Sequence, residues 1–511
     1  MIVILASQAD EQAHVLAKRW EGAVLTPADL SQPGWRFEVG GDDNPVAVIG
    51  GQIIRAGEIT GVLTRLVAVS EDDLPGIDAA DRNYVANEMH AFLMAWLDSL
   101  PCPVLNPPSP NCLCGPADRL PESILADGGD AVLLIDGEVC GPATQTRAQA
   151  AQAIASTIGA PLVEIRFKDD RPTGFSLIPD LSTDEACDAV YRLLISGPRA
   201  RWQPRRQRAA HPRTGPVVLW GLPADGPLSD VHRELQAMDA PVFFIDQRDV
   251  LETSVCCSRL KIRAESVDLE SIRSLYVRSY NSASLPHVDQ AGEEAQRSAL
   301  EIDSRITRWA QRTEAFVVSP LDAMSANHSK PFQSRWIASF GWRVPRTLIT
   351  TDPVEARRFW ETHREIIYKS VSSVRSQVSR VTTEHAHRLA DIVNCPTQFQ
   401  EYIPGVDYRV HVVGEAGFAC RIETSSDDYR YGESDFSAAT LSPEIEERCR
   451  AMSSAMSLPF SGIDLRLTPE GEWVCFEVNP SPGFSVFEEQ TGHPIAAAVA
   501  RLLLNPPVEP R

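Results

Sequence analysis

The sequence has no apolar run approaching the ~18 residues that a membrane span needs. Its opening, MIVILASQAD, lacks the basic region of a secretory signal and turns polar after six residues. We read it as a first β-strand; the missing signal points to the cytoplasm and to no membrane partner. Positive charge is also short, with 48 Lys and Arg against 69 Asp and Glu, a net charge of −21. A field of that sign repels phosphate backbones and argues against nucleic acid as the main partner. The one basic stretch, 201–213, has arginines at 201, 205, 206, 208 and 213 set among Pro and Gln. It reads as a solvated linker sooner than as an anionic docking site. The eleven cysteines are an odd set scattered along a long chain, which fits reduced thiols better than a disulfide framework. Cys112-x-Cys114 and Cys256-Cys257 have no second half at zinc spacing, so all eleven are taken as small buried hydrophobes.

What is present is an ordinary globular composition, 43% hydrophobic and 23% charged over 511 residues. At about 100–200 residues per domain that length suggests roughly three or four domains. The chain also resembles itself at a spacing near 213. IVILAS near residue 2 is similar to VVLWGL near 217. Val62-Leu63-Thr64-Arg65 lines up with Leu275-Tyr276-Val277-Arg278, Trp96 with Trp309, and Val104-Leu105-Asn106-Pro107 with Val317-Val318-Ser319-Pro320. Pro116 matches Pro331 after a two-residue insertion. Strand-like runs alternate with helical stretches in each copy, which suggests a small α/β unit with a mostly parallel sheet. The first copy then reaches the run 132–135 quickly, whereas the second needs about 80 residues to reach Val410-His411-Val412-Val413. The first copy therefore looks as if it has lost a lobe. Further on, at an offset of 300, Glu477 falls on Leu177 and Asn479 on Pro179.

The chemistry concentrates in the second copy. FSGIDLRLTPEGEWVCFEVNPSPGF reads as two strands around the turn Thr468-Pro469-Glu470-Gly471. Glu477 and Asn479 are two apart on one strand and share a face; Asp464, on the other strand, can approach them. Three oxygen ligands, two of them anionic, suit a hard cation such as Mg²⁺ bridging phosphates. The plainer reading, a wet polar strand face, sits poorly with the apolar run WVCFEVN around them. Upstream, Ile366-Ile367-Tyr368-Lys369 is a strand ending in lysine before the serine-rich SVSSVRSQVSR, a setting that can hold phosphates. Phe399 to Gly405, FQEYIPG, is a strand leading into a Pro-Gly hinge whose backbone could meet an adenine edge.

The ordered set NHSKP, PRTLIT, IYK, FQEYIPGVDYRVHVVG, DDYRY, GIDLR and FEVNPSPGF resembles the ATP-grasp superfamily over about 215–505. The likeness is to the branch of RimK-type glutamate ligases and graspetide (microviridin-type) peptide ligases. It implies an α/β and α+β fold: a pre-ATP-grasp α/β domain at 215–331, then two ATP-grasp lobes at 332–400 and 401–511. Ahead of these would stand a degenerate copy, with a pre-ATP-grasp-like domain at 1–118, a truncated lobe at 119–200 and a linker at 201–214. The resemblance implies that Lys330 and Lys369 contact phosphates and that Glu401, Tyr402 and Ile403 border adenine. Asp407 would reach the ribose. Asp464, Glu477 and Asn479 would carry Mg²⁺, with Mn²⁺ a substitute. Arg409, Arg421 and Arg430 would stabilise the transferring phosphoryl group, although each alone reads equally well as half of a surface ion pair. One departure stands out: 370–380 contains no glycine where that pattern is glycine-rich; backbone N–H groups can still bind phosphate there, with Ser hydroxyls and Arg375 as added donors. The function implied is ATP-dependent joining of a carboxylate to an amine or hydroxyl through an acyl phosphate. The substrate would be a small molecule, peptide or protein bearing a carboxylate, and homo-oligomerisation stays open. The alternative is a nucleotide-binding regulatory pseudoenzyme or interaction module.

Overall fold

The computed structural model describes residues 1–41, 44–117, 130–204, 213–256, 258–373, 378–424 and 433–507. The chain divides into two compact units, Met1–Gln203 with Ala326–Ile403, and Pro204–Ser325 with Pro404–Arg511.

In the first unit, Ile2–Leu5 is buried at every position, which places it inside a parallel sheet. That sheet runs Ala23–Leu25, Ile2–Leu5, Gly61–Thr64, Val104–Leu105. Helix Glu11–Arg19 starts where the Asp10 carboxylate accepts from the Ala13 N–H. A second, antiparallel sheet runs Arg171–Ser176, Leu162–Lys168, Asp130–Ile135, Glu138–Cys140. The core around Ile4, Leu63, Leu162, Val190 and Leu194 joins the two sheets through helix Asp184–Ser196.

The second unit contains a parallel sheet of the same strand order and an antiparallel sheet with one strand more. Its parallel sheet runs Val242–Asp246, Val217–Gly221, Ser274–Arg278, Phe316–Val318. Its antiparallel sheet runs Ser434–Ala439, Ala416–Thr424, Val406–Val413, Phe460–Leu467, Trp473–Asn479. Here helix Ile495–Leu504 supplies the shared core, with Val217, Tyr276, Phe460, Val499 and Leu503 packed together. Three further strands, Thr253–Cys256, Arg259–Ile262 and Glu265–Asp268, form a small antiparallel sheet.

The likeness extends to side chains. In the first unit Arg65 binds Asp10, the helix cap, at 2.7 Å and the Pro179 carbonyl at 3.0 Å. In the second Arg278 binds Asp225, also a helix cap, and the Ser481 and Pro482 carbonyls at 3.3 and 3.1 Å.

Segment 332–400 does not keep company with 215–331; its strands lie in the first unit. A seven-stranded antiparallel sheet runs Ser379–Arg380, Ile366–Lys369, Thr397–Glu401, Thr347–Thr350, Arg36–Val39, Val46–Ile49, Gln52–Arg55. Four of its strands come from 347–401 and three from 36–55. The seam pairs Ile349 with Phe37 and Thr350 with Arg36. The Thr351 hydroxyl accepts from the Trp35 N–H at 3.1 Å and donates to the Gln32 carbonyl at 2.6 Å. Trp35 is fully buried and meets Phe92 and Trp96 edge-on at 5.4 and 5.5 Å.

Two readings of the sequence need correction. The ends of the 201–214 linker are pinned: Trp202 is buried against Phe332 and Trp336, and Arg213 pairs with Glu314 at 2.9 Å. Burial of the Trp202 ring favours fixing that end of the segment. Arg205, Arg206 and Arg208 lie outside the described residues. Among the described cysteines all are free thiols, as expected, but Cys256 is exposed and Cys140 and Cys395 are half-buried. No described helix is long and apolar enough to cross a membrane.

Candidate active site

The first unit positions the two lysines on neighbouring segments. Lys369 ends strand Ile366–Lys369, held in register opposite Gln398. Lys330 opens helix Lys330–Ser339, where the Ser329 hydroxyl accepts from the Phe332 N–H and Pro331 stands in the first turn. The Lys330 N–H donates to the Val371 carbonyl at 3.0 Å. Its ammonium donates to the Ser370 hydroxyl at 3.2 Å and to the Ser372 carbonyl. Lys330 thus reaches the root of the serine-rich loop, which Lys369 immediately precedes in the chain. They are two of only five lysines in the chain, with Lys18, Lys168 and Lys261, among 48 basic residues. A compact ammonium, not a planar guanidinium, stands at both places.

The same root binds a residue the sequence reading missed. Glu88, in helix Arg82–Ser99, is 3% exposed. Its carboxylate accepts from the Val371 N–H at 2.6 Å, the Ser372 N–H at 3.0 Å and the Ser372 hydroxyl. These two amides are therefore not free for another anion. Arg375 lies outside the described residues.

At the hinge, Glu401 exchanges two bonds with Arg346: its N–H donates to the carbonyl at 2.9 Å, and its carboxylate accepts from the N–H at 2.8 Å. The Tyr402 N–H donates to the Glu365 carbonyl at 3.0 Å, and the Arg380 guanidinium stacks 3.9 Å from the Tyr402 ring centre. Ile403 is buried, and the first unit ends there, before Pro404 and Gly405.

In the second unit the register brings the predicted metal ligands to one face. Asp464 lies directly opposite Glu477, and Gly462 opposite Asn479, with a bulge after Asp464. Arg409 lies opposite Asp464 on the other side and donates to it at 2.7 Å. The Arg409 side chain is 5% exposed and Asp464 24%. The guanidinium lies flat on Gly462, where an added Cβ would sit 2.4 Å from Nη2; only glycine admits this approach. Beneath it His411 is buried, with Nε2 3.3 Å from the Gly483 carbonyl. Burial, then the Arg409 charge, hold the imidazole well below its ordinary pKa, so it is neutral. Asn479 accepts from the Ser481 N–H at 3.0 Å, and Arg278 grips the carbonyls of that turn. Burial raises the pKa of Asp225, but Arg278, the Leu228 N–H and the Tyr280 hydroxyl together hold the carboxyl below the ordinary range. Arg278 was visible in the sequence only as a repeat position.

Other predicted residues are placed differently. Asp407 is held by Arg466 in a two-pronged pair at 2.7 and 2.8 Å, each oxygen keeping a lone pair. Arg421 is not brought to the Arg409 cluster. It stands opposite Tyr408, hence on the other sheet face, and pairs with Glu423 at 2.6 Å while 42% exposed. Arg430 lies outside the described residues. Among the described residues no three or more His, Cys, Asp or Glu gather to hold a metal alone. The predicted set has two carboxylates and an amide, which fits a hard cation shared with phosphate oxygens. At the positions offset by 300 from Glu477 and Asn479, Leu177 packs in a core cluster and Pro179 gives its carbonyl to Arg65. Glu164, offset 300 from Asp464, accepts from Arg166 and from the Asp180 N–H.

Comparison with known proteins agrees with the resemblance. Residues 332–503 match the family model of the RimK-like ATP-grasp domain. The solved structure of the ATP-grasp ligase PsnB complexed with minimal precursor is 25% identical, with a TM-score of 0.50 over 57% of this chain and 98% of that one. The macrocyclase MdnC from Microcystis aeruginosa MRC, bound with precursor peptide MdnA, is 21% identical, with a TM-score of 0.51 over 57% and 99%. At 20% identity, a Chryseobacterium gregarium RiPP-associated ATP-grasp ligase, in complex with ADP and a leader and core peptide, has a TM-score of 0.50 over 57% and 96%. No curated protein matches the chain.

Proposed function

We propose that this chain is an ATP-dependent ligase that activates a carboxylate as its acyl phosphate and joins it to an amine or hydroxyl, with a peptide as substrate. The observation that carries the reading is the register of Asp464, Glu477, Asn479 and Arg409 on one face, inside a RimK-like ATP-grasp domain. The peptide substrate draws support from the likeness to PsnB, whose structure holds a minimal precursor.

A carboxylate is a poor electrophile; phosphorylation gives it a leaving group that an amine or hydroxyl then displaces. ATP and Mg²⁺ are the cofactors of this fold, and the cation screens the meeting of two anions when bound. Asp464, Glu477 and Asn479 would hold Mg²⁺ through their oxygens, with Mn²⁺ a substitute. Lys330 and Lys369 would neutralise phosphate charge. The hinge 401–403 would border adenine, and Asp407 would accept from a ribose hydroxyl with its remaining lone pairs. Arg409, fixed by Asp464 and by the flat seat on Gly462, is the residue we assign to the transferring phosphoryl group. Arg430 keeps that role by resemblance alone, and Arg421 drops out. The half 1–200 would bind no ATP, because Leu177 and Pro179 offer no side-chain ligands and Gly115 stands at the place of Lys330. We infer that it is a duplicated, degenerate copy.

The full-length protein, incubated with Mg·ATP and short peptides bearing Asp or Glu beside Lys, Ser or Thr, should release ADP and phosphate. The peptide should lose one water per bond formed. Glu477→Ala should abolish both while the unfolding transition stays cooperative. Tight Mg·ATP binding with no ATP consumption on any carboxylate would favour a regulatory pseudoenzyme. Wild-type turnover by Glu477→Ala would remove the metal assignment.

A further inference from the structure

We propose that Glu88, from the N-terminal half, is a positioning residue for the start of the serine-rich segment, residues 370–373, so that the half without nucleotide ligands fixes the root of the phosphate site. This rests on the reading of Lys330, Lys369 and that loop as the phosphate site.

The argument begins with burial. A carboxylate taken out of water must be matched by donors or it is lost to protonation or repacking. Glu88 receives three donors, two of them consecutive amides at the start of the loop and the third the Ser372 hydroxyl. Consecutive amides aimed at one anion define the path of the backbone between them. The carboxylate therefore sets where the chain leaves Lys369, and with it the aim of that ammonium. Lys330 closes the same root from the other side through the Val371 and Ser372 carbonyls and the Ser370 hydroxyl. The two lysines are thereby tied to one short segment whose geometry Glu88 holds.

The helix that carries Glu88 is seated for this. It is buried at every position from Ala91 to Leu97, and the Ser329 hydroxyl, one residue before Lys330, donates to its Ala91 carbonyl at 2.7 Å. The repeat supplies an internal comparison. At the offset of 213, Glu88 falls on Glu301, in helix Glu293–Arg312. There the side chain is 61% exposed and makes only an i,i+4 pair with Arg305 at 2.7 Å. The same residue type at the same helical position is a surface charge in one copy and the buried holder of the loop root in the other. Helix propensity does not require it at 88; the loop amides do.

The test uses the full-length protein and calorimetric titration with Mg·ATP and, separately, AMP. AMP carries the adenosine but not the β- and γ-phosphates, so the ratio of the two affinities isolates the phosphate loop. Glu88→Gln keeps the volume but cannot accept from all three donors. We expect it to weaken Mg·ATP roughly tenfold, the loss of one charge-assisted hydrogen bond, and to leave AMP unchanged. Glu301→Gln should change neither. A general loss of structure would weaken both ligands together, and would be seen in the unfolding transition. Should Glu88→Gln fail to fold, Ser372→Ala, which removes only the hydroxyl donor, should lower the same ratio by a smaller factor. An unchanged ratio in a folded Glu88→Gln or Ser372→Ala protein overturns the inference. Wild-type protein that binds AMP and Mg·ATP equally would instead overturn the assignment of the phosphate site on which it rests.

Discussion

Lysine is rare in this chain and arginine common, so the two lysines at the loop root are informative. An arginine there would present a wide fork and pair sideways with carboxylates, whereas an ammonium can donate to Ser370 and still turn to a phosphate. Lys369→Ala should weaken Mg·ATP binding about ten- to a hundredfold, since a hydrogen bond to a charged group is worth about 1.5–3 kcal/mol. Titration calorimetry reads this directly, and unchanged affinity would make Lys369 an ordinary half-buried lysine. The shared face of Glu477 and Asn479 was legible in the sequence because two-residue spacing on a strand fixes the face. Arg421 was not: one residue of register decides its side of the sheet, and motif spacing does not carry the register of the neighbouring strand. Glu88 was invisible for another reason, since its partners are 283 and 284 residues away.

At the scale of elements, the antiparallel sheet of the second unit depends on a neighbour outside it. Strand Trp473–Asn479 ends in a turn whose carbonyls are gripped by Arg278, itself locked to Asp225 at the start of helix Gly226–Ala237. Arg278 is 12% and Asp225 5% exposed, so this is a buried pair. Arg278→Ala should destabilise the protein by about 3 kcal/mol, because it leaves the Asp225 carboxylate buried without its cation. It should also weaken Mg²⁺-dependent ATP binding by loosening the turn after Asn479. Chemical denaturation and nucleotide titration check the two parts; a variant as stable as wild type would mean that Tyr280 and the helix cap satisfy Asp225 alone.

At the scale of the molecule, the N-terminal half is built into the sheet that carries Lys369. Strand Arg36–Val39 covers the edge of Thr347–Thr350, and Trp35 with Phe92 and Trp96 forms the core beneath that seam. A fragment of 204–511 would carry that strand with its edge open and its apolar face wet, the condition under which sheets associate with one another. We expect such a fragment to aggregate and to bind no Mg·ATP, as read by size-exclusion chromatography and calorimetry. A monomeric fragment that binds Mg·ATP as the full chain does would show the N-terminal half to be dispensable to the lobe.

The sequence by itself determined the local elements and the ordered motifs. Apolar runs, strand periodicity and caps are written within a few residues of one another, which is why the strands 460–467 and 473–479 and the shared face of Glu477 and Asn479 could be read. Tertiary structure alone decided which lobe keeps company with which half, which sheet face Arg421 occupies, and what holds the loop after Lys369. Those outcomes depend on pairings between segments far apart in the chain. Such pairings are settled by the burial of Trp35 and the satisfaction of buried polar groups such as Glu88, not by any local pattern.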